Sequence, residues 1–173
     1  PAGNQAVETL LDNPAPWMRR QAVVYLYRYQ SEQSEALLLD ALRDGEHMVW
    51  TMAEGALYGL WAKSDNEQAD RNYRFGIHLQ MAGQWNQAIP WFRQAFQEDP
   101  SFIECIHQIG HSYEQMGQYR EAIGAYLETI ELKPSHFSAL ARLHALYEHL
   151  GNRELATHFE ARTEAIFPHW EKI

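Results

Sequence analysis

The chain has one cysteine, Cys105, in 173 residues. That excludes an internal disulfide and any multi-thiolate metal site, and it leaves the redox compartment open. Basic residues are in deficit, with 14 Lys+Arg against 23 Asp+Glu and a net charge of -9. Such a balance repels phosphate backbones, so nucleic acid is not an expected partner. No apolar run approaches the roughly 18 to 20 residues of a membrane span, and charges interrupt every helical stretch. The chain therefore reads as soluble, without direct membrane insertion. The ten glycines are scattered and form no phosphate-cradling loop, and no G-x-S-x-G elbow is present. No cofactor is expected. The first residue is Pro1 and not methionine; a processed or truncated N-terminal segment is consistent with that, and localisation is not readable.

What is abundant is apolar: 46% of residues are hydrophobic, enough for a sizeable core. They are organised by a repeat of 34 residues, in which Gly76 recurs as Gly110, Gly83 as Gly117 and Gly151, Ala88 as Ala122 and Ala156, and Pro100 as Pro134 and Pro168. Each landmark has a physical role in a helix–turn–helix unit. Gly83, Gly117 and Gly151 stand where a residue able to take positive φ ends the first helix. The alanines fall early in the second helix, where a small side chain admits the antiparallel partner. The prolines close each unit, because proline cannot continue a helix. Stripes such as Ile103, Ile106, Ile109 and Tyr113 have helical and not strand spacing. The pattern predicts helices at 69–82, 86–98, 101–116, 119–132, 135–150 and 153–167.

Across about 69–168 this pattern resembles the tetratricopeptide repeat family. The middle copy carries the signature as Gly110, Tyr113, Gly117, Tyr119, Ala122, Tyr126 and Pro134; the first carries it as Gly76, Leu79, Gly83, Trp85, Ala88, Phe92, Ala95 and Pro100. The third departs, with His144 at the small position and Glu160 at the aromatic one. Such decay suits a terminal, capping repeat.

The first 65 residues have a weaker period of 31, in which Leu11, Asn13, Met18, Ala22 and Leu26 recur as Leu42, Asp44, Val49, Ala53 and Leu57. Turn clusters at Asp12-Asn13-Pro14 and Asp44-Gly45 predict helices at 4–11, 15–29, 32–43 and 47–63. Met18, Arg19 and Ala22 resemble the opening of a second helix in HEAT-type repeats, but Trp50 stands where the second copy would have its arginine. A HEAT-like pair and a generic pair of helical hairpins capping the array both remain open. The expectation is an all-α, right-handed solenoid of antiparallel helix pairs, with a HEAT-like part at 1–65 stacked on a repeat domain at 66–173. The repeats of that domain fall at about 69–102, 103–136 and 137–170.

Chemistry is sparse. His107 and His111 lie at i and i+4 on one helix face and are weak candidates for a metal. Gln108 stands where a zinc protease would need its general-base glutamate, which rules out that mechanism, and no metal is expected. Cys105 reads as a buried structural thiol. No nucleophile, base and orienter are assembled, so no catalytic residue is assigned and the chain reads as no enzyme.

The resemblance implies that the first helix of each pair lines a concave, partner-binding face. Transferred residue by residue, that face holds Tyr73, Arg74, Ile77, Gln80 and Met81 in the first copy. Glu104, His107, Gln108, His111, Glu114 and Gln115 follow in the second, and Arg142 and His149 in the third. One subclass clamps acidic chaperone tails with lysines, asparagines and an arginine. The matching positions here are Tyr73, Ile77, Gln108, Ser138 and Arg142, of which only the arginine is kept. Chaperone-tail binding is therefore not expected. The expected function is a protein–protein interaction scaffold for a peptide or helix of another protein. The alternative is a structural or assembly subunit held permanently in a larger complex, and a homo-oligomer is compatible with either.

Overall fold

The computed structural model describes residues 2–170, with side chains from Val7 onward. Among the described residues there are ten helices and no strand. The helices are α1 (Ala2–Leu11), α2 (Pro16–Tyr29), α3 (Ser34–Ala41), α4 (His47–Trp61), α5 (Glu67–Met81), α6 (Trp85–Glu98), α7 (Glu104–Gln115), α8 (Tyr119–Leu132), α9 (Phe137–His149) and α10 (Arg153–Ile166). The chain forms two compact units, Lys63–Thr163 and Pro1–Ala62 together with Glu164–Ile173.

In the Lys63–Thr163 unit the helix pairs are α5/α6, α7/α8 and α9/α10. Gly83, Gly117 and Gly151 have φ of 71°, 71° and 75°, the left-handed conformation that ends the first helix of each pair. Pro100 and Pro134 lie just beyond α6 and α8. Ala88, Ala122 and Ala156 are buried. Gly76 and Gly110 serve close approach. A Cβ on Gly76 would lie 2.7 Å from the Phe92 ring, and one on Gly110 would lie 2.7 Å from the Tyr126 ring. In the third pair the same two positions are His144 and Glu160. The Nδ1 of His144 lies 3.0 Å from the Ala156 carbonyl.

The polar stretch 63–68 is tied down. The Asn66 side chain accepts from the amides of Gln68 and Ala69, capping α5, and donates to the Glu98 carbonyl at 3.0 Å. The Ser64 hydroxyl donates to Asp99.

In the other unit, Ala22, Leu26, Ala53 and Leu57 form the core between α2 and α4. Arg19 makes a forked pair with Asp44, at 2.6 Å and 3.0 Å, and also donates to the Asn13 carbonyl at 2.9 Å. Two landmarks of the 31-residue period, Asn13 and Asp44, are therefore joined by Arg19. Trp50, at the position of the missing arginine, is buried and packs against Phe167 and His169. The Phe167 ring meets it edge-on at 5.6 Å and the His169 ring stacks on it at 5.2 Å. His169 Nε2 reaches the Asp44 carbonyl at 3.1 Å, and Arg43 donates to the Ala165 carbonyl at 2.7 Å. Pro168 lies in this segment, next to the fully buried Phe167. Trp17, by contrast, is 56% exposed and not a core residue, because it projects from the first turn of α2.

Candidate functional site

The residues expected on the first-helix face separate by burial. Tyr73, Gln80, Glu104 and His107 are buried and cannot present their side chains to a partner. Arg74, Met81, Gln115, Arg142 and His149 are exposed, and Ile77, Gln108, His111 and Glu114 are half-buried. The buried members tie the helix pairs together. Gln80 donates from α5 to the Ser112 hydroxyl at 2.9 Å and to the Gln108 carbonyl at 3.0 Å, both on α7. The Tyr73 ring packs against Phe92 and Phe102.

Glu104 is the centre of a buried network between α7 and α9. His107 Nδ1 lies 3.0 Å from its Oε1, Gln108 donates to the same oxygen at 2.7 Å, and His136 Nε2 lies 3.0 Å from its Oε2. Burial alone would push the Glu104 carboxyl up, but the two imidazoles hold it well below the usual carboxylate range. His136 also caps α9, its Nδ1 accepting from the Ala139 amide at 3.2 Å. Burial lowers the pKa of His136 against the opposing pull of Glu104.

Among the described residues, Glu104, His107 and His136 are the one group of three whose potential metal-ligand atoms converge. This differs from the pair suggested by spacing, since the His111 ring instead stacks on Trp85 at 5.7 Å. The second contacts of the histidines decide the chemistry. Because His136 Nδ1 accepts an amide N–H, its proton sits on Nε2 and is given to Glu104. A metal on Nε2 would move that proton to Nδ1, facing another donor, whereas a ligating histidine gives its second N–H to an acceptor. The residues do not fit a metal. They fit a buried carboxylate satisfied by three N–H donors.

What remains outward is a mixed surface. Met81 is 83% exposed at the end of α5. Glu114 accepts from the Tyr126 hydroxyl at 2.7 Å and lies 3.5 Å from Arg142. The His149 ring meets Tyr119 at 4.9 Å, and Arg74 pairs with Asp70 at 2.9 Å. Burial, then His107 and Arg142, lowers the pKa of His111. Cys105 is fully buried, and burial pushes its thiol up, away from nucleophilic reactivity.

Sequence reasoning missed His136. The signal available was that it stands one period after the buried Phe102, a polar residue at a core position.

Helix pairs ended by left-handed glycines, with an aromatic ring seated on the first-helix glycine in two of them, define an all-helical repeat fold. Residues 103–136 match the family model for the tetratricopeptide repeat. That segment thus carries the repeat, and the fold of the chain is shared with solved structures. A crystal structure of MamA is 19% identical, covering 91% of this chain and 94% of its own, with a TM-score of 0.56. YrrB, described as a TPR protein with an unusual peptide-binding site, is 20% identical over 100% of this chain and 99% of its own, with a TM-score of 0.53. No curated protein matches the chain in sequence. No helix among the described residues is long and apolar enough to cross a membrane.

Proposed function

We propose that the chain is a non-catalytic scaffold that binds a peptide or helix of another protein along the face made by α5, α7 and α9. The observation that carries this reading is Met81, an apolar, flexible side chain left 83% exposed at the end of α5. Thioether side chains in such positions suit adaptable binding surfaces. Arg74, His111, Gln115, Arg142 and His149 supply polar contacts from the neighbouring helices, and the buried network around Glu104 keeps α7 and α9 in register beneath them. The peptide-binding description of YrrB supports the same class of function. The test is capture of partners from the native source by the intact chain and by a Met81→Glu, Arg142→Glu variant. A partner held by the first and lost by the second, at unchanged melting temperature, supports the reading; equal capture by both refutes it.

The second reading, a subunit held permanently in a complex, is favoured by α2. Trp17 and Tyr29 are 56% and 62% exposed there, and the Tyr25 and Tyr29 rings lie 4.4 Å apart, tilted by 38°. Light scattering on the native and isolated protein separates the two readings. A native species always heavier than the isolated chain favours the permanent complex.

A further inference from the structure

On the other side of the same unit, α6, α7 and α8 enclose a pocket of about 340 Å³. This is at the small end of ligand cavities and has room for one large side chain. Its floor is apolar: Ile106, Ile109 and Ala125 are buried and Phe96 is half-buried. None of the residues proposed for the first-helix face lines it.

Gly124 lines the pocket from the interior of α8. Glycine weakens a helix at such a position. Gly76 and Gly110 are required by the rings of Phe92 and Tyr126, but a Cβ on Gly124 would meet nothing within 4 Å. Nothing in the chain's own packing calls for glycine there. With no side chain at 124, that stretch of the pocket wall is bare backbone.

The charges around the opening are arranged unequally. Glu121 and Glu128 stand a turn before and after Gly124 and Ala125 on one face of α8, both exposed, and neither is paired with a cation among the described residues. Across the pocket the Arg93 guanidinium donates to the Tyr113 hydroxyl at 3.1 Å, which holds it to the α7 side. The α8 side is therefore negative, on a chain whose net charge is already -9. An acidic ligand would be repelled there and a basic one attracted.

We propose that this pocket is a second docking site, which seats one large apolar side chain of a partner segment carrying Lys or Arg within a helical turn of that anchor. The anchor covers Ile106, Ile109 and Phe96, and the cation lies between Glu121 and Glu128. The site shares no residue with the first-helix face, so the two surfaces can be occupied or lost independently.

The test is selection of a random displayed peptide library on the intact chain, with selected peptides then titrated against three variants. Gly124→Leu fills the pocket while improving helix propensity. Glu121→Lys with Glu128→Lys reverses the rim, and Met81→Glu alters only the first-helix face. The expected result is a set of peptides pairing a large apolar residue with a nearby Lys or Arg. Their binding falls about tenfold or more with the first two variants and is unchanged by the third. No peptide sensitive to Gly124→Leu, or pocket binders that are acidic and tolerate the charge reversal, would overturn the proposal. Peptides lost only with Met81→Glu would also overturn it, while leaving the first-helix reading intact.

Discussion

His136 Nε2 lies 3.0 Å from Glu104 Oε2, so a residue before α9 completes the hydrogen bonding of a buried carboxylate at the start of α7. The two stand near opposite ends of the segment 103–136 that matches the repeat model. The contact makes the junction between the second and third helix pairs a polar one, and its stability depends on protonation.

Acid should therefore weaken the fold in two stages. The pKa of His136 is lowered on folding, as is that of His111, so the unfolded chain binds more protons once pH falls below about 6.5. Stability is complete above that value and declines as pH falls through it. Glu104, also lowered, adds a further loss below about 4.5, where its unfolded carboxyl takes up a proton that the folded one refuses. Melting temperature followed from pH 7.5 to 4 checks the direction. Replacing His136 with Asn should flatten the upper stage.

Zinc should not bind at this network. Equilibrium dialysis is expected to show no stoichiometric uptake, because the second nitrogen of His136 faces the Ala139 amide. Tight binding lost in His107→Ala would contradict the hydrogen-bond assignment.

Two glycines in neighbouring helices should respond oppositely to substitution. Gly110→Leu forces the Tyr126 ring aside and should cost about 1 to 3 kcal/mol. Gly124→Ala meets nothing and should gain up to about 1 kcal/mol from helix propensity. Chemical denaturation of both variants checks the pair, and an unchanged Gly110→Leu would break the repeat register.

The contrast also marks what was legible. Gly110 and Tyr126 are both signature positions of one period, so their contact was implied by the pattern. The left-handed glycines and closing prolines likewise announced the helix ends. His136 was not legible, because its partner lies 32 residues away and no local periodicity links them. The burial of Tyr73, Gln80, Glu104 and His107 was equally hidden. A face assigned by helical spacing does not distinguish side chains that point outward from those that reach the next repeat. The grouping of the last residues with the N-terminal unit had only one trace, a tryptophan where the period led one to expect arginine.

That grouping carries its own prediction. Phe167 is fully buried against Trp50, and Phe167→Ala should cost about 3 to 5 kcal/mol within the unit that holds α1 to α4. Hydrogen exchange should show the amides of α4 losing protection while those of α7 keep it. Equal loss in both helices would contradict the assignment.

The central claim, that α5, α7 and α9 present the partner-binding face, is tested most directly by a photo-crosslinking residue placed at Met81 and, separately, at the exposed Thr157 of α10 in the native source. The account predicts one dominant protein adduct at position 81 and none at 157. Adducts that are equal at both positions, or confined to 157, would contradict it.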